Sequence, residues 1–261
     1  MHTDTNRPLG LAAPHAAHTQ SPFALTAAEQ GIAQLQKEGF TSFAEVCTGA
    51  TLAAVREAYQ AIIDRRIDCG SDDRLLGERT RQVMFPSKYV PVFADNPALR
   101  LARGLVAKLL AVEMEQVQLH FDMLICKPPG QTTPTPWHQD ASYSGQPFTE
   151  PGTALKGKTV QVWLALDDVD QDTGCMHFIP HFGLDRVLAH HVASGQATDE
   201  HRLLAVAEAV PEDSAVACPL PAGSCTMHLE GTLHATTGNH SAERWRRAWI
   251  FNLSVNGQGY L

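Results

Sequence analysis

The sequence predicts a mainly β protein with some α: an antiparallel roll of two sheets, of jelly-roll or cupin-like type, behind an N-terminal helical layer. Three observations lead there. Apolar residues recur at helical spacing only before about residue 112. Beyond residue 114 the pattern changes to period-two alternation and short apolar runs, cut by turns that carry Gly and Pro. No strand–helix alternation follows residue 114, which argues against a doubly wound parallel sheet and for a two-sheet roll. The 261 residues, 44 % hydrophobic and 18 % charged, suffice for one large core and fall short of two. The expected organisation is a loose tail over 1–21 and a single domain over 22–261, with its helical layer at 22–112 and its β core at 113–261.

In chain order, Thr26 reads as a helix N-cap with Glu29 completing a capping box, and Gly39 as the stop. Residues 39–43 are a short extended piece. Leu52, Val55, Tyr59, Ile62, Ile63 and Ile67 give a second helix from about Ala50 to Ile67. Residues 68–80 are polar, carry Gly70 and Gly77, and read as a loop. Asn96-Pro97 caps a third helix that runs to about Leu110, with Leu99, Ala102, Val106 and Leu109 or Leu110 as its buried stripe.

The β region starts with Leu119, Phe121, Met123 and Ile125 alternating with Gln118, His120, Asp122 and Cys126, a half-buried strand. Prolines make Lys127 to Pro136 an irregular loop. His138-Gln139-Asp140 opens or ends a strand just beyond it, and 141–157 is a lid-like loop. Thr159 to Leu166 is the clearest strand, and Cys175 to Ile179 is the next. A helix is expected over about Asp199 to Glu208. Strands follow at Ser224–Leu229, at Leu233–Thr236 and from about Trp245 to Val255.

The net charge of −8 argues against gripping a nucleic-acid backbone, and no run approaches the length of a membrane span. The start lacks the charged-then-apolar pattern of a signal peptide. The six cysteines show no two-residue gap of a zinc or redox motif. They read as free thiols of a reducing compartment, so the expected location is cytoplasmic and the expected partner a small molecule. With 13 histidines, histidine abundance alone says nothing about a metal.

Two stretches carry chemistry. One is Trp137-His138-Gln139-Asp140 behind Lys127-Pro128-Pro129-Gly130; the other is Leu233-His234-Ala235-Thr236-Thr237-Gly238-Asn239 before Arg244-Trp245-Arg246-Arg247. On an extended strand, His138 and Asp140 leave the same face. Two histidines and one carboxylate, with His234 folded back onto the first pair, are the ligand set of a non-haem Fe(II) oxygenase with open positions. Taken alone, the pair also reads as a surface strand end, and His234 as a hydrogen-bonded core histidine.

Around these stretches the chain resembles the phytanoyl-CoA dioxygenase family. The resemblance runs through Lys127–Gly130 with Trp137–Asp140, Val162–Asp168, Gly174–Pro180, Pro221-Ala222-Gly223, His234–Asn239 with Ser241, and Arg246-Arg247-Ala248. It implies a double-stranded β-helix with Fe(II) held by His138, Asp140 and His234, with 2-oxoglutarate as co-substrate and O2 as oxidant. It implies an arginine for the distal carboxylate of 2-oxoglutarate, because a guanidinium fork meets a carboxylate in bidentate fashion. Trp245 stands where relatives place that arginine, so the pattern is displaced. Arg246 is the reading preferred and Arg244 the alternative. The resemblance also sets Thr236 and Trp163 beside the co-substrate. Gln118 and Asp122 share a strand face toward substrate or co-substrate, or toward solvent. The implied reaction is hydroxylation of an unactivated C–H with release of succinate and CO2. The alternatives are a metal-dependent oxygenase that does not consume 2-oxoglutarate and a binding protein that keeps the roll without turnover.

Overall fold

The computed structural model describes residues 22–76, 79–144, 149–156, 158–194 and 203–255. Its helices are α1 (Pro22–Glu38), α2 (Gly49–Ile63), α3 (Pro91–Ala94) and α4 (Pro97–Leu110). Its strands are β1 (Phe40–Phe43), β2 (Asp73–Leu76), β3 (Thr80–Met84), β4 (Val117–Lys127), β5 (Thr135–His138), β6 (Thr159–Ala165), β7 (Met176–Phe178), β8 (His190–Val192), β9 (Leu204–Val206), β10 (Val216–Cys218), β11 (Cys225–Leu229), β12 (His234–Thr236) and β13 (Arg246–Val255). The larger sheet runs β1-β11-β6-β13-β4-β3-β2 and the smaller β10-β7-β12-β5, while β8 and β9 form a separate pair. Every pairing among them is antiparallel. This is a two-sheet roll with its helices on one side.

Both faces of the larger sheet are covered, which explains its apolar runs. On one face Val160, Val162, Leu164, Trp249 and Phe251 pack with Val55, Tyr59, Leu99, Ala102 and Val106 of the helices. On the other, Trp163, Ala165, Ala248 and Ile250 meet Met176 and Phe178 of the smaller sheet. β6 lies between β11 and β13 and is buried at every position. Alternation along β13 sends Arg246, Ala248 and Ile250 into the roll and Trp249 and Phe251 toward the helices, as a period of two requires. The α4 cap follows expectation: Asn96 Oδ1 accepts from Leu99 N at 2.9 Å, worth about 1 kcal/mol, and the stripe of Leu99, Ala102, Val106 and Leu109 is buried.

Several local expectations are corrected. The first helix begins at Pro22, so Thr26 lies inside it; a proline's fixed φ suits a first turn. The second helix ends at Ile63, and Arg65 turns with φ 58°, although Ile67 still packs on the core. Residues 68–80 contain β2 and the first residue of β3, which extend the larger sheet; Asp73 Oδ1 accepts from Arg81 Nε at 2.7 Å across the hairpin. Polar composition concealed these edge strands. Thr135 and Pro136, expected in the irregular loop, lie in β5, an edge strand where a missing N–H is tolerated. The helix expected over Asp199–Glu208 is replaced by β9 at Leu204–Val206, paired with β8; residues 199–202 lie outside the described residues. Tertiary pairing overrides its helix-favouring Leu and Ala. The tail 1–21 also lies outside the described residues.

A register shift in β4 corrects one site expectation. Asn252 of β13 pairs with Phe121 and Leu253 with Leu119, leaving His120 bulged. Before the bulge Val117 and Leu119 face the helices; after it Leu124 and Cys126 do. Gln118 and Asp122 therefore do not share a face. Asp122 is buried on the helix side, where it accepts from Ser87 Oγ at 2.7 Å and Trp249 Nε1 at 3.3 Å.

Two glycines separate backbone necessity from helix propensity. Gly223 has φ +85°, and a Cβ there would stand 2.1 Å from Cys47 O. Gly223→Ala should cost about 2 kcal/mol in urea unfolding. Nothing lies within 4 Å of a Cβ on Gly104 in α4, so Gly104→Ala should gain about 0.5–1 kcal/mol in the same assay.

Candidate metal centre

Three local structures deliver the ligand set. His138 is the last residue of β5 and His234 the first of β12, and the two are direct cross-strand partners with ring centroids 4.2 Å apart. Asp140 is not on the strand, contrary to the parity argument. The chain bends after His138, and a 3₁₀ turn over Asp140–Ser144 returns the carboxylate to the imidazoles. Asp140 Oδ1 lies 3.9 Å from His138 Nε2 and 3.6 Å from His234 Nε2. One ligand atom from each residue falls within 4.8 Å of the others. The spacing suits a single ion bridging all three.

Hydrogen bonds behind the ligands fix their chemistry. His138 Nδ1 faces Pro136 O at 2.7 Å and His234 Nδ1 faces Thr232 O at 2.8 Å. A carbonyl only accepts, so each Nδ1 carries the proton and each Nε2 presents its lone pair inward. Burial holds His138 below the usual imidazole range and, with His138 and His228 nearby, holds His234 well below it. Burial alone would raise the Asp140 carboxyl, but the facing His234 and the His228 hydrogen bond hold it well below its ordinary value. Two neutral imidazoles and one carboxylate are the protonation states that a metal needs. Asp140 Oδ2 accepts from Gln161 Nε2 at 2.5 Å and faces His228 Nε2 at 3.1 Å, which leaves Oδ1 toward the histidines.

Gln139 was missed in the sequence as a functional residue. It is fully buried; its Nε2 donates to Gly183 O at 2.8 Å and Gly231 O at 2.7 Å, and its Oε1 accepts from Leu188 N at 2.7 Å. It binds two loops to the segment between the ligands. Its only sequence signal was its place between His138 and Asp140. His228, buried close to His234, turns its Nε2 to the outer oxygen of Asp140.

The remaining candidates separate cleanly. Arg246 is 1 % exposed, donates from Nε to Gly174 O at 3.1 Å and lies 4.6 Å above the buried Trp163 ring. Its Nη2 has no partner among the described residues, and burial lowers its pKa to about 10. Thr236 is buried two residues along β12 from His234. Arg244 is on the surface, paired with Asp170 at 2.7 Å and Asp172 at 2.8 Å. Gln118 is exposed, and Asp122 is on the far face of the sheet. Arg246, Trp163 and Thr236 are thus brought toward one interior; Arg244, Gln118 and Asp122 are not.

A model of the family described as phytanoyl-CoA dioxygenase (PhyH) matches residues 35–248. The chain belongs to the phytanoyl-CoA dioxygenase family. With the triad intact, it is a non-haem Fe(II)/2-oxoglutarate-dependent oxygenase. Among solved structures, this family member resembles EvdO2 from Micromonospora carbonacea var. aurantiaca, crystallised in complex with 2-oxoglutarate: 26 % identity, TM-score 0.71, covering 87 % of this chain and 90 % of EvdO2. The fold also matches the epimerase SnoN, seen with Fe3+, α-ketoglutarate and nogalamycin RO (21 % identity, TM-score 0.64, 88 % and 84 % coverage). It matches as well the carbocyclase SnoK from nogalamycin biosynthesis (19 % identity, TM-score 0.61, 94 % and 87 % coverage). No curated protein matches at comparable significance. No helix among the described residues is long and apolar enough to cross a membrane, and all six cysteines are free thiols.

Asp140→Ala should abolish tight metal binding in an anaerobic Co(II) titration, and Gln161→Leu should weaken it about 10–100-fold by releasing Oδ2. The metal-free protein should also lose stability in mild acid. His138 and His234 are held below their ordinary 6.5, so below that pH the unfolded chain takes up protons that the folded chain refuses. His120 and His190 add in the same direction, and Asp140 does so only below its ordinary 3.8; the buried Asp122 carboxyl, pushed up to about 6, opposes them with a single proton against those of the imidazoles. The melting temperature of metal-free protein should fall between about pH 6.5 and pH 5.5. A flat profile would contradict the buried neutral imidazoles.

Proposed function

We propose that this oxygenase uses 2-oxoglutarate and dioxygen to hydroxylate an unactivated C–H bond of a small, hydrophobic or mixed-polarity metabolite, releasing succinate and CO2. The observation that carries the reading is Arg246. A guanidinium buried without a carboxylate partner costs several kcal/mol, and an anion that arrives with the co-substrate offsets that cost. Arg246 would take the distal carboxylate of 2-oxoglutarate through its free Nη2, Trp163 would fix the guanidinium plane, and Thr236 would add a hydroxyl. The complex of EvdO2 with 2-oxoglutarate supports the choice of co-substrate.

His138, Asp140 and His234 would hold Fe(II), and their donor set fits it: two neutral imidazoles and a carboxylate leave positions open for a chelating co-substrate and for O2. Bound iron supplies the one-electron oxygen chemistry that no side chain provides. The chain's own task is to position and to exclude water. Gln161 and His228 keep Asp140 from swinging, Gln139 fixes the ligand turn, and the carbonyls of Pro136 and Thr232 set the imidazoles. The carboxylate of Asp140 fills the position that a halide would need, which favours hydroxylation over halogenation.

The test is a metabolite screen on protein loaded anaerobically with Fe(II) and 2-oxoglutarate and then given air. A product one oxygen atom heavier, formed in step with succinate, is expected. Oxygen uptake that ignores 2-oxoglutarate would refute the reading. Arg246→Ala should raise the 2-oxoglutarate concentration needed for half-maximal rate about 30-fold or more, the size of a lost charge-assisted bond. Arg244→Ala should leave that concentration unchanged.

A further inference from the structure

Lys127 ends β4 directly opposite Arg246 on β13. It is 1 % exposed, so two basic side chains stand side by side in the interior, and burial together with the neighbouring guanidinium pushes the lysine pKa well down. Among the described residues its Nζ contacts only neutral oxygens: Thr133 O at 3.1 Å, Thr237 O at 3.1 Å, Thr236 Oγ1 at 3.0 Å and Thr135 Oγ1 at 3.4 Å. The bonds to Thr133 and Thr135 suffice to clamp the loop after β4. The bond to Thr236 does something else.

The carboxylate that Arg246 would receive favours the charged form of the neighbouring lysine, and an ammonium has donors and no lone pair. In the Lys127–Thr236 bond the hydroxyl oxygen must accept, so the single hydroxyl hydrogen of Thr236 has to point away from Lys127. It donates to no described residue. Thr236 pairs with Met176 of β7. Two residues before Met176, Gly174 gives its carbonyl to Arg246 Nε, and a Cβ on Gly174 would stand 2.6 Å from Thr237 O. The undirected O–H of Thr236 and the unpartnered Nη2 of Arg246 thus border the same stretch of chain.

We propose that Lys127 is a positioning residue of the co-substrate site, turning the Thr236 hydroxyl into an obligatory donor to the distal carboxylate of 2-oxoglutarate. This rests on Arg246 receiving that carboxylate. Lys127 touches no reacting atom; it acts through Thr236. A neutral residue in its place would let Thr236 rotate and present a lone pair, which repels a carboxylate.

The test measures binding rather than turnover. The Fe(II)-loaded protein is titrated anaerobically with 2-oxoglutarate, followed by the visible charge-transfer absorbance that a 2-oxo acid gives on chelating Fe(II). Oxalate, which chelates the metal without a distal carboxylate, is titrated in competition. Lys127→Met should weaken 2-oxoglutarate about tenfold, the size of one hydrogen bond to a charged acceptor, and leave oxalate and Fe(II) binding within twofold. Thr236→Val should do the same, and Thr236→Ser should stay within threefold of the parent. Lys127→Met placed on Thr236→Val should add less than twofold, because the lysine then has nothing to orient. Losses that multiply, or an equal loss of oxalate, overturn the proposal. Should Lys127→Met fail to fold, Thr236→Val decides: a selective loss of 2-oxoglutarate that Thr236→Ser avoids supports it, and unchanged 2-oxoglutarate binding overturns it. Absence of any 2-oxoglutarate band in the parent protein would instead remove the co-substrate reading itself.

Discussion

The pairing of His138 with His234 across β5 and β12 is the constraint on which the site depends. Directly opposite residues in an antiparallel ladder have their Cβ atoms about 5 Å apart, close enough for two imidazoles to share one ion. A slip of one residue would send one imidazole to the other face and dismantle the centre. The register is therefore protected from several sides. β12 is sandwiched between β5 and β7. Gln139 fastens the residue after His138 to the Gly183, Leu188 and Gly231 backbones, so the edge strand β5 cannot slide without breaking buried bonds.

The site places unfavourable groups in a dry interior, and the rest of the fold offsets them. Arg246 and Lys127 are both buried and neither faces a carboxylate among the described residues, an arrangement that costs several kcal/mol to hold charged and that pushes both pKa values down. The opposite face of the same sheet supplies the compensation. There Val160, Val162, Leu164, Trp249 and Phe251 pack against α2 and α4, each side chain worth about 1.5–3 kcal/mol of apolar burial. One face of β13 thus carries the chemistry and the other carries the stability. This division is why the helical layer matters to an active site that it does not touch.

The parts of this design that follow chain-local rules were legible in the sequence. Period two placed Arg246, Ala248 and Ile250 on one face of β13, and Asn96-Pro97 placed the start of α4. The ligand trio was legible because its residue types match one chemistry. Features set by tertiary partners were hidden. β9 forms because β8 and Tyr143 are there to bond it: Leu204 N donates to the Tyr143 hydroxyl at 2.9 Å. The bulge at His120 inverted the face of Asp122, and no local pattern announces a bulge without glycine. The turn that carries Asp140 lay beyond strand parity as well; the expected grouping was right and the reason for it was not. The roles of Gln139, Gln161 and His228 depend on atoms far along the chain.

The displacement of the arginine that the family resemblance implies has a structural counterpart. The family position holds Trp245, which is 49 % exposed, and the guanidinium that fills the interior comes from the next residue. An insertion of one residue in a strand would reverse its faces, whereas the turn between Asn239 and Arg244 is where one could be accommodated. Asn239 Nδ2 donates to Lys127 O and Arg244 O, and Ser241 Oγ accepts from Arg244 N. Arg244 itself is drawn outward to Asp170 and Asp172, while Arg247 is held by Asp167 on the opposite face. Three neighbouring arginines are thereby sorted by partner charge: two find carboxylates within the fold. The third has none among the described residues, which is the condition that the proposed binding of a carboxylate ligand requires.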